Sequence, residues 1–310
     1  MNRITKSRRK FIRSSALAAL GTTIAPKLLA HSSLLFEENQ MYKISLAEWS
    51  LHKMLKAGDL KNIEFPAFTK RTFGINAVEY VNQFFFDKAK DKAYLKELNM
   101  RVADEGMDNV LIMIDKEGKL GDSDKKARQQ AIENHYKWVE AAQFLGCHSI
   151  RVNAGGQGTR EEVAKRVTES LHSLSTYAKD YDINVIVENH GGYSSDGKWL
   201  STVIKDVGLP NCGTLPDFGN FTIDRKENIT YDRYKGMKKL MPYAKAVSAK
   251  CYDFDESGVE TNIDFLRIMK IVKKAGYKGY IGIEYEGKIM SEVEGIKAAK
   301  RLLEKTFNTI

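Results

Sequence analysis

The chain predicts an α/β fold, a single (β/α)8 TIM barrel, from three observations. Eight short β-prone runs alternate with longer helical patterns, the helical patterns are often closed by glycine, and no glycine-rich phosphate turn follows the first strand. The β-prone runs are "KISLAEW" (43–49), "AVEYV" (77–81), "NVLIMI" (109–114), "SIRVN" (149–153), "INVIVEN" (183–189), "CGTLPD" (212–217), "AVSAKC" (246–251) and "YIGIEY" (280–285). Between them, stretches such as "RQQAIENHYKWVEAAQFLG" and "NIDFLRIMKIVKKAG" are apolar at helical spacing. An open doubly wound sheet is the competing arrangement. It usually carries a glycine-rich turn after its first strand, where this chain reads "AEWSLHK".

The barrel is expected over residues 42–310, after an export signal at 1–30 and a polar linker at 31–41. "SRRKFIRSSALAALGTTIAPKLLA" carries paired Arg8 and Arg9, a modest apolar run and small residues near Ala30, the pattern of a twin-arginine signal. A basic amphipathic helix is the alternative, but no apolar stretch there reaches the roughly 20 residues of a membrane span. The expected destination is the periplasm or cell envelope.

The signal also reshapes the charge argument. The chain has 49 basic and 40 acidic residues, but residues 1–30 hold seven of the bases and no acid, leaving 42 against 40. A net charge of +2 over the remainder excludes the basic excess that would neutralise many phosphates, so nucleic acid is not an expected partner. Cys147, Cys212 and Cys251 show no CxxC spacing and suggest no disulfide framework.

In a barrel, chemistry gathers at the C-terminal ends of the strands. There the fifth strand ends in Glu188, the sixth in Asp217 and the eighth carries Glu284. Three acids converging on one axis repel one another strongly unless a cation joins them. Oxygen ligands suit Mn or Mg, and a set including imidazole also admits Zn or Co. His190 lies two residues beyond Glu188 and shares its face if the strand continues, although Gly191 and Gly192 imply a turn. It is either a structural histidine or a group that hydrogen-bonds substrate or a ligand acid. Arg151 and Asn153 share one face of strand four and line the pocket, or Arg151 pairs an acid at the barrel end. Trp49, His52, Trp199 and Tyr252 stand near strand ends or in the loops beyond. There aromatic rings either stack on a sugar or belong to the core.

With "VIVENHGG", "LPDFGN", "AVSAKCYDF" and "GYIGIEYEG" in order, residues 42–308 resemble the xylose isomerase-like TIM barrels, which include sugar isomerases, ketose 3-epimerases, inosose dehydratases and endonuclease IV. The resemblance implies a divalent metal held by Glu188, Asp217, Glu284 and a strand-seven residue. Where the family often reads H-x-H-x-K, this chain has Ala246, Val247, Ser248, Ala249 and Lys250, so Ser248 stands in the usual histidine position. A hydroxyl is a weak neutral ligand, and three carboxylates then favour Mn or Mg over Zn. Lys250 would stabilise negative charge on a substrate oxygen or transfer a proton. By the same resemblance Glu188 and Glu284 act as ligands and as the acid/base pair, Asp217 as a pure ligand, and Lys250 and His190 orient oxygens.

A trinuclear nuclease needs many histidines, and of the six here only His52 and His190 fall near the expected site. The expected activity is therefore a metal-dependent carbohydrate isomerase or epimerase that removes a proton beside a carbonyl or hydroxyl held on the metal. Two alternatives stand beside it: elimination of the aglycone from a 3-keto-glycoside by the same site, and a sugar-binding barrel without catalysis. Neither the oligomeric state nor the particular sugar is readable.

Overall fold

The structure, a computed structural model, describes residues 42–310. The export signal and linker expected at 1–41 lie outside the described residues. Eight parallel strands form the barrel wall: β1 (Tyr42–Ala47), β2 (Ala77–Val81), β3 (Asp108–Met113), β4 (Ser149–Val152), β5 (Asn184–Glu188), β6 (Cys212–Leu215), β9 (Val247–Cys251) and β10 (Gly279–Tyr285). Their order is β6-β5-β4-β3-β2-β1-β10-β9, in register throughout apart from a bulge at Val78/Glu79. A small antiparallel hairpin, β7 (Thr222–Asp224) and β8 (Ile229–Thr230), sits in the segment after β6 and had no counterpart in the sequence pattern.

The seam between β6 and β9 closes by isolated bridges, Thr214 with Ala244 and Asp217 with Ser248. Pro216 explains why β6 stops at Leu215: it has no N–H to give a ladder. Its carbonyl still accepts from Ser248 N at 3.0 Å, and Phe218 N donates to Ser248 O at 3.1 Å. This seam is where the tips of β6 and β9 meet.

Nine α-helices surround the strands among the described residues: α1 (His52–Ala57), α2 (Phe65–Phe73), α3 (Lys92–Asp104), α4 (Lys125–Leu145), α5 (Arg160–Lys179), α6 (Gly197–Val207), α7 (Arg233–Leu240), α8 (Phe265–Lys274) and α9 (Glu292–Phe307). Local chemistry sets their limits. Thr159 and Ser291 close capping boxes with Glu162 and Glu294, and the Asp124 carboxylate accepts from Lys126 N and Ala127 N. Each such cap stabilises its helix by about 1 kcal/mol. Gly146 ends α4 in the left-handed conformation, φ 76°, that a glycine adopts without steric cost. The extra helix, α1, belongs to a long segment after β1 that also carries Trp49. No helix among the described residues is long and apolar enough to cross a membrane.

Strand alternation divides the core into two regions. Val185, Val187, Val247, Ala249, Ile281 and Ile283 join the large cluster between wall and helices. Ala47, Ala77, Val81, Leu111, Met113, Ile186, Leu215 and Ala246 fill the barrel interior. The same alternation puts Glu79 inside, against Gly282, where an added Cβ would stand 2.4 Å from the carboxylate. Ser45 Oγ donates to Glu79 Oε1 at 2.6 Å, while Oε2 has no hydrogen-bond partner.

Candidate active site

At the C-terminal mouth Glu188, Asp217 and Glu284 converge: one oxygen from each lies within 4.8 Å of the others, and all three residues are buried. Backbone and amide groups fix the acids from below. Asp217 Oδ1 accepts from Gly219 N and Asn220 N, both at 2.7 Å, which turns Oδ2 toward Ser248 Oγ at 2.9 Å. Asn189 accepts from Asp217 N at 2.8 Å and donates to the carbonyls of Asp217 and Asn220, tying the β5 tip to the loop after β6. Asn220 Nδ2 then donates to Glu188 Oε1 at 2.9 Å.

Ser248 Oγ stands between Asp217 Oδ2 and Glu284 Oε2, at 2.9 and 3.0 Å. A hydroxyl has one proton, so it can donate to only one of them at a time. Lys250, 1% exposed, points inward from the same strand. Its Nζ lies 2.9 Å from Glu284 Oε1, 3.4 Å from Glu286 Oε2 and 3.9 Å from Asp217 Oδ2. Burial alone would lower the affinity of this amine for its proton, but the surrounding carboxylates raise it well above the ordinary value.

On the other flank Arg151 Nε approaches Glu188 Oε2 to 3.0 Å without the alignment of a hydrogen bond, so that oxygen is buried and ion-paired but has no hydrogen-bond partner. The guanidinium is held instead by Asp115, whose Oδ1 accepts from Arg151 Nη1 and Asn153 Nδ2 at 2.8 Å each. Although Asp115 is largely buried, these donors keep its carboxyl well below the usual range. Asn82 and Gln83, at the β2 tip, hold Asp115 from its other side. Arg151 therefore pairs acids, as one of its two expected roles had it.

Charge points to what the site lacks. Asp115, Glu188, Asp217, Glu284 and Glu286 face two buried cations, Arg151 and Lys250, so the carboxyl groups outnumber the cations. Burial, together with Glu188 and Glu284, pushes Asp217 up to about 8, against the pull of Lys250. Burial likewise raises Glu284, but Lys250 outweighs it and leaves that carboxyl below its ordinary value. A divalent cation would offset the surplus of carboxyl groups, and the Glu188 oxygen without a hydrogen bond, with the two carboxylates sharing one hydroxyl, would give it hard oxygen donors. Glu188, Asp217 and Glu284 could hold it, with Ser248 Oγ adjacent to two of them.

The remaining expected residues line the rim. His190 is exposed, and its Nδ1 lies 3.0 Å from Asn153 Oδ1. Trp49 Nε1 donates to Glu286, and His52 stacks on the Trp49 ring at 4.8 Å. His52 Nδ1 lies 2.7 Å from the Trp49 carbonyl, and among the described residues it bonds no member of the triad. Tyr252 is half-buried beside Lys250, packed over Gly219, where a Cβ would meet both side chains. Trp199 is part of the core in α6, donating to the Arg160 carbonyl. Asp115, Glu286, Asn189 and Asn220 went unread in the sequence. Asp115 directly follows "NVLIMI", and Glu286 repeats the spacing of Glu284 along β10, so the strand-tip rule reaches both.

A buried acidic cluster at the C-terminal mouth of an eight-stranded parallel barrel defines the class. The model for the xylose isomerase-like TIM barrel matches residues 69–306, and the chain belongs to that family. A C-glycoside deglycosidase α subunit from Arthrobacter globiformis is 41% identical over 54 residues, which is 17% of this chain and 15% of that protein. The match thus spans about one seventh of the relative. Among solved structures, a 3-keto-D-glucoside 4-epimerase from E. coli superposes with TM-score 0.62 at 16% identity, over 88% of this chain and all of that one. Two further barrels share the fold: the IOLI protein with a bound zinc atom (TM-score 0.67, 15% identity, 86% and 98% covered) and a Mycobacterium smegmatis protein in complex with magnesium (TM-score 0.64, 16% identity, 86% and 97% covered).

Proposed function

We propose that this protein is a metal-dependent carbohydrate isomerase or epimerase that moves a carbon-bound proton next to a carbonyl. The observation that carries the reading is the convergence of Glu188, Asp217 and Glu284 with Lys250 and Arg151 packed against them. When bound, a divalent cation supplies polarisation of a substrate oxygen, and the all-oxygen donor set favours Mn or Mg. Glu188 and Glu284 approach from separate strands, so one takes the proton and the other returns it. Asp217, fixed by two backbone N–H groups, serves as a ligand. The Lys250 ammonium faces negative charge developing on the substrate oxygen, and Arg151, Asn153 and His190 orient hydroxyls. Trp49, with His52 stacked on it, and Tyr252 offer apolar faces to the sugar ring.

A second reading has a specific observation in its favour, the local similarity to a C-glycoside deglycosidase. In it the same base removes the proton beside the keto group of a 3-keto-glycoside. The electron pair then forms a C=C bond as the aglycone leaves with its bonding electrons and takes up a proton. The test is incubation of the Mn-loaded protein in deuterated water with free ketoses and with a methyl 3-keto-glucoside. Deuterium uptake without aglycone release supports the isomerase or epimerase, and release supports the lyase. Absence of both, with no bound metal, would leave a sugar-binding barrel. Export by the twin-arginine route remains a proposal from residues 1–30, checked by cell fractionation.

A further inference from the structure

Asp115 stands just beyond β3, and the side chains around its carboxylate are all donors. Arg151 Nη1 and Asn153 Nδ2 reach Oδ1 at 2.8 Å each, and Gln83 Nε2 reaches Oδ2 at 3.0 Å. An ionised carboxylate accepts hydrogen bonds and cannot donate one. That decides which way the Asn153 amide faces. Its nitrogen lies on the side of Asp115 and of the Ile114 carbonyl, 3.5 Å away, and its oxygen is turned to the ring of His190.

The amide oxygen is an acceptor only, and it lies 3.0 Å from His190 Nδ1. The proton of that hydrogen bond therefore sits on Nδ1, and in the neutral ring Nε2 keeps a lone pair. Among the described residues nothing bonds Nε2. The backbone beneath the ring is pinned, because His190 N donates to Ser194 Oγ at 3.0 Å and Gly191 N donates to Ser195 Oγ at 2.8 Å. With the main chain held, the bond to Asn153 sets the direction of the ring. His190 also reaches the acid cluster through its charge: burial raises the Glu284 carboxyl, and Lys250, Arg151 and His190, in that order, outweigh it.

We infer that Asp115 is a positioning residue that fixes the tautomer of His190 through Asn153, so that the rim of the site offers a hydrogen-bond acceptor, Nε2, to a substrate hydroxyl. The tautomer stands on the hydrogen-bond geometry alone, whereas the hydroxyl contact rests on the carbohydrate chemistry proposed above. A hydroxyl donates to a lone pair, and a carbonyl or ether oxygen does not. This corner of the site thus selects for a free hydroxyl on the sugar. Asn153 acts here through His190, since its amide nitrogen is taken up by Asp115.

The tautomer is read directly by long-range 1H–15N NMR of the full chain labelled with 15N-histidine, with the His190 signals assigned from a His190→Gln variant. The spectra are taken at about pH 8.5, roughly two units above the ordinary histidine value, where the ring is neutral. In the unmodified chain the Nδ1–H form should exceed the Nε2–H form by at least about tenfold, the scale of one intramolecular hydrogen bond. Asn153→Ala and Asp115→Asn should each bring the two forms to comparable amounts. A dominant Nε2–H form in the unmodified chain, or an Nδ1–H excess unmoved by both substitutions, overturns the inference. Adding a ketose or methyl 3-keto-glucoside that exchanges its proton in deuterated water should shift the Nε2 signal as it accepts a hydrogen bond. An Nε2 signal unmoved by every such sugar overturns the hydroxyl contact. The two claims separate: a dominant Nδ1–H form with no exchange on any sugar removes the proposed function and leaves the tautomer standing, whereas exchange with a dominant Nε2–H form does the reverse.

Discussion

Glu48 and Glu79 are buried as completely as Glu188, Asp217 and Glu284, yet the two sets of acids are held by different means. Glu48 accepts from Asn62 Nδ2 at 2.7 Å and Val81 N at 2.9 Å, and Glu79 accepts from Ser45 alone. Neither pairs with a cation among the described residues, and burial pushes both up to about 8. The mouth acids instead crowd one another around Lys250 and Arg151, with Ser248 Oγ shared between Asp217 and Glu284. A buried acid bonded only by neutral donors, with no cation beside it, is part of the scaffold. A buried cluster whose carboxyl groups outnumber its cations could take one.

If that distinction holds, substitutions at the mouth act on chemistry, whatever they also do to stability, and those below it on stability alone. Glu284→Gln should lower turnover by at least about a thousandfold, since it removes a proposed acid/base and a carboxylate ligand while keeping side-chain volume. Steady-state kinetics with circular dichroism checks this; near-normal turnover would place the chemistry elsewhere. Lys250→Met should cost about a hundredfold or more in kcat, the scale of losing one donor to developing negative charge. It should also destabilise the metal-free protein by about 3 kcal/mol, because Glu284 loses its buried partner. Denaturant titration measures that second effect.

Glu79 should move stability through its pH dependence. Its folded value is raised, so its contribution is fully present below the unfolded value near 4.5 and is lost as pH rises through about 8. Over that window stability should fall by up to about 1.4 kcal/mol per pH unit, the limit for one proton. Glu79→Gln should flatten the slope, as melting followed between pH 5 and 9 would reveal. The smallest change is expected from Trp49→Phe, which keeps an aromatic face but removes the hydrogen bond to Glu286. A severalfold rise in KM with little loss of kcat is the expected outcome, matching roughly 1 kcal/mol.

The same comparison says what was legible in the sequence. Alternation along "VIVEN", "AVSAK" and "IGIEY" places Glu188, Ser248, Lys250 and Glu284 inward, so the eight strands and the acid cluster could be read together. Asp115 was passed over because it stands one residue beyond an all-apolar run, and its importance comes from Arg151, a partner 36 residues away. Glu79 carries the same alternation signal as the mouth acids, but its depth in the barrel depends on register with β1 and β10, which no local pattern encodes. Asn189 bonds backbone groups of the loop after β6, and Asn220 on that loop reaches back to the Glu188 carboxylate. Ser248, the departure from the family's histidine, was visible as a residue, but its place between Asp217 and Glu284 required the closed seam.

The most direct test of the central claim, that the mouth acids form a divalent-cation site, is calorimetric titration of Mn2+ into the chelator-treated full chain and its Asp217→Asn variant. One saturable ion per chain is expected, with binding lost or weakened at least a hundredfold in the variant. No saturable ion in the unmodified protein, or equal affinity in both, would contradict the claim.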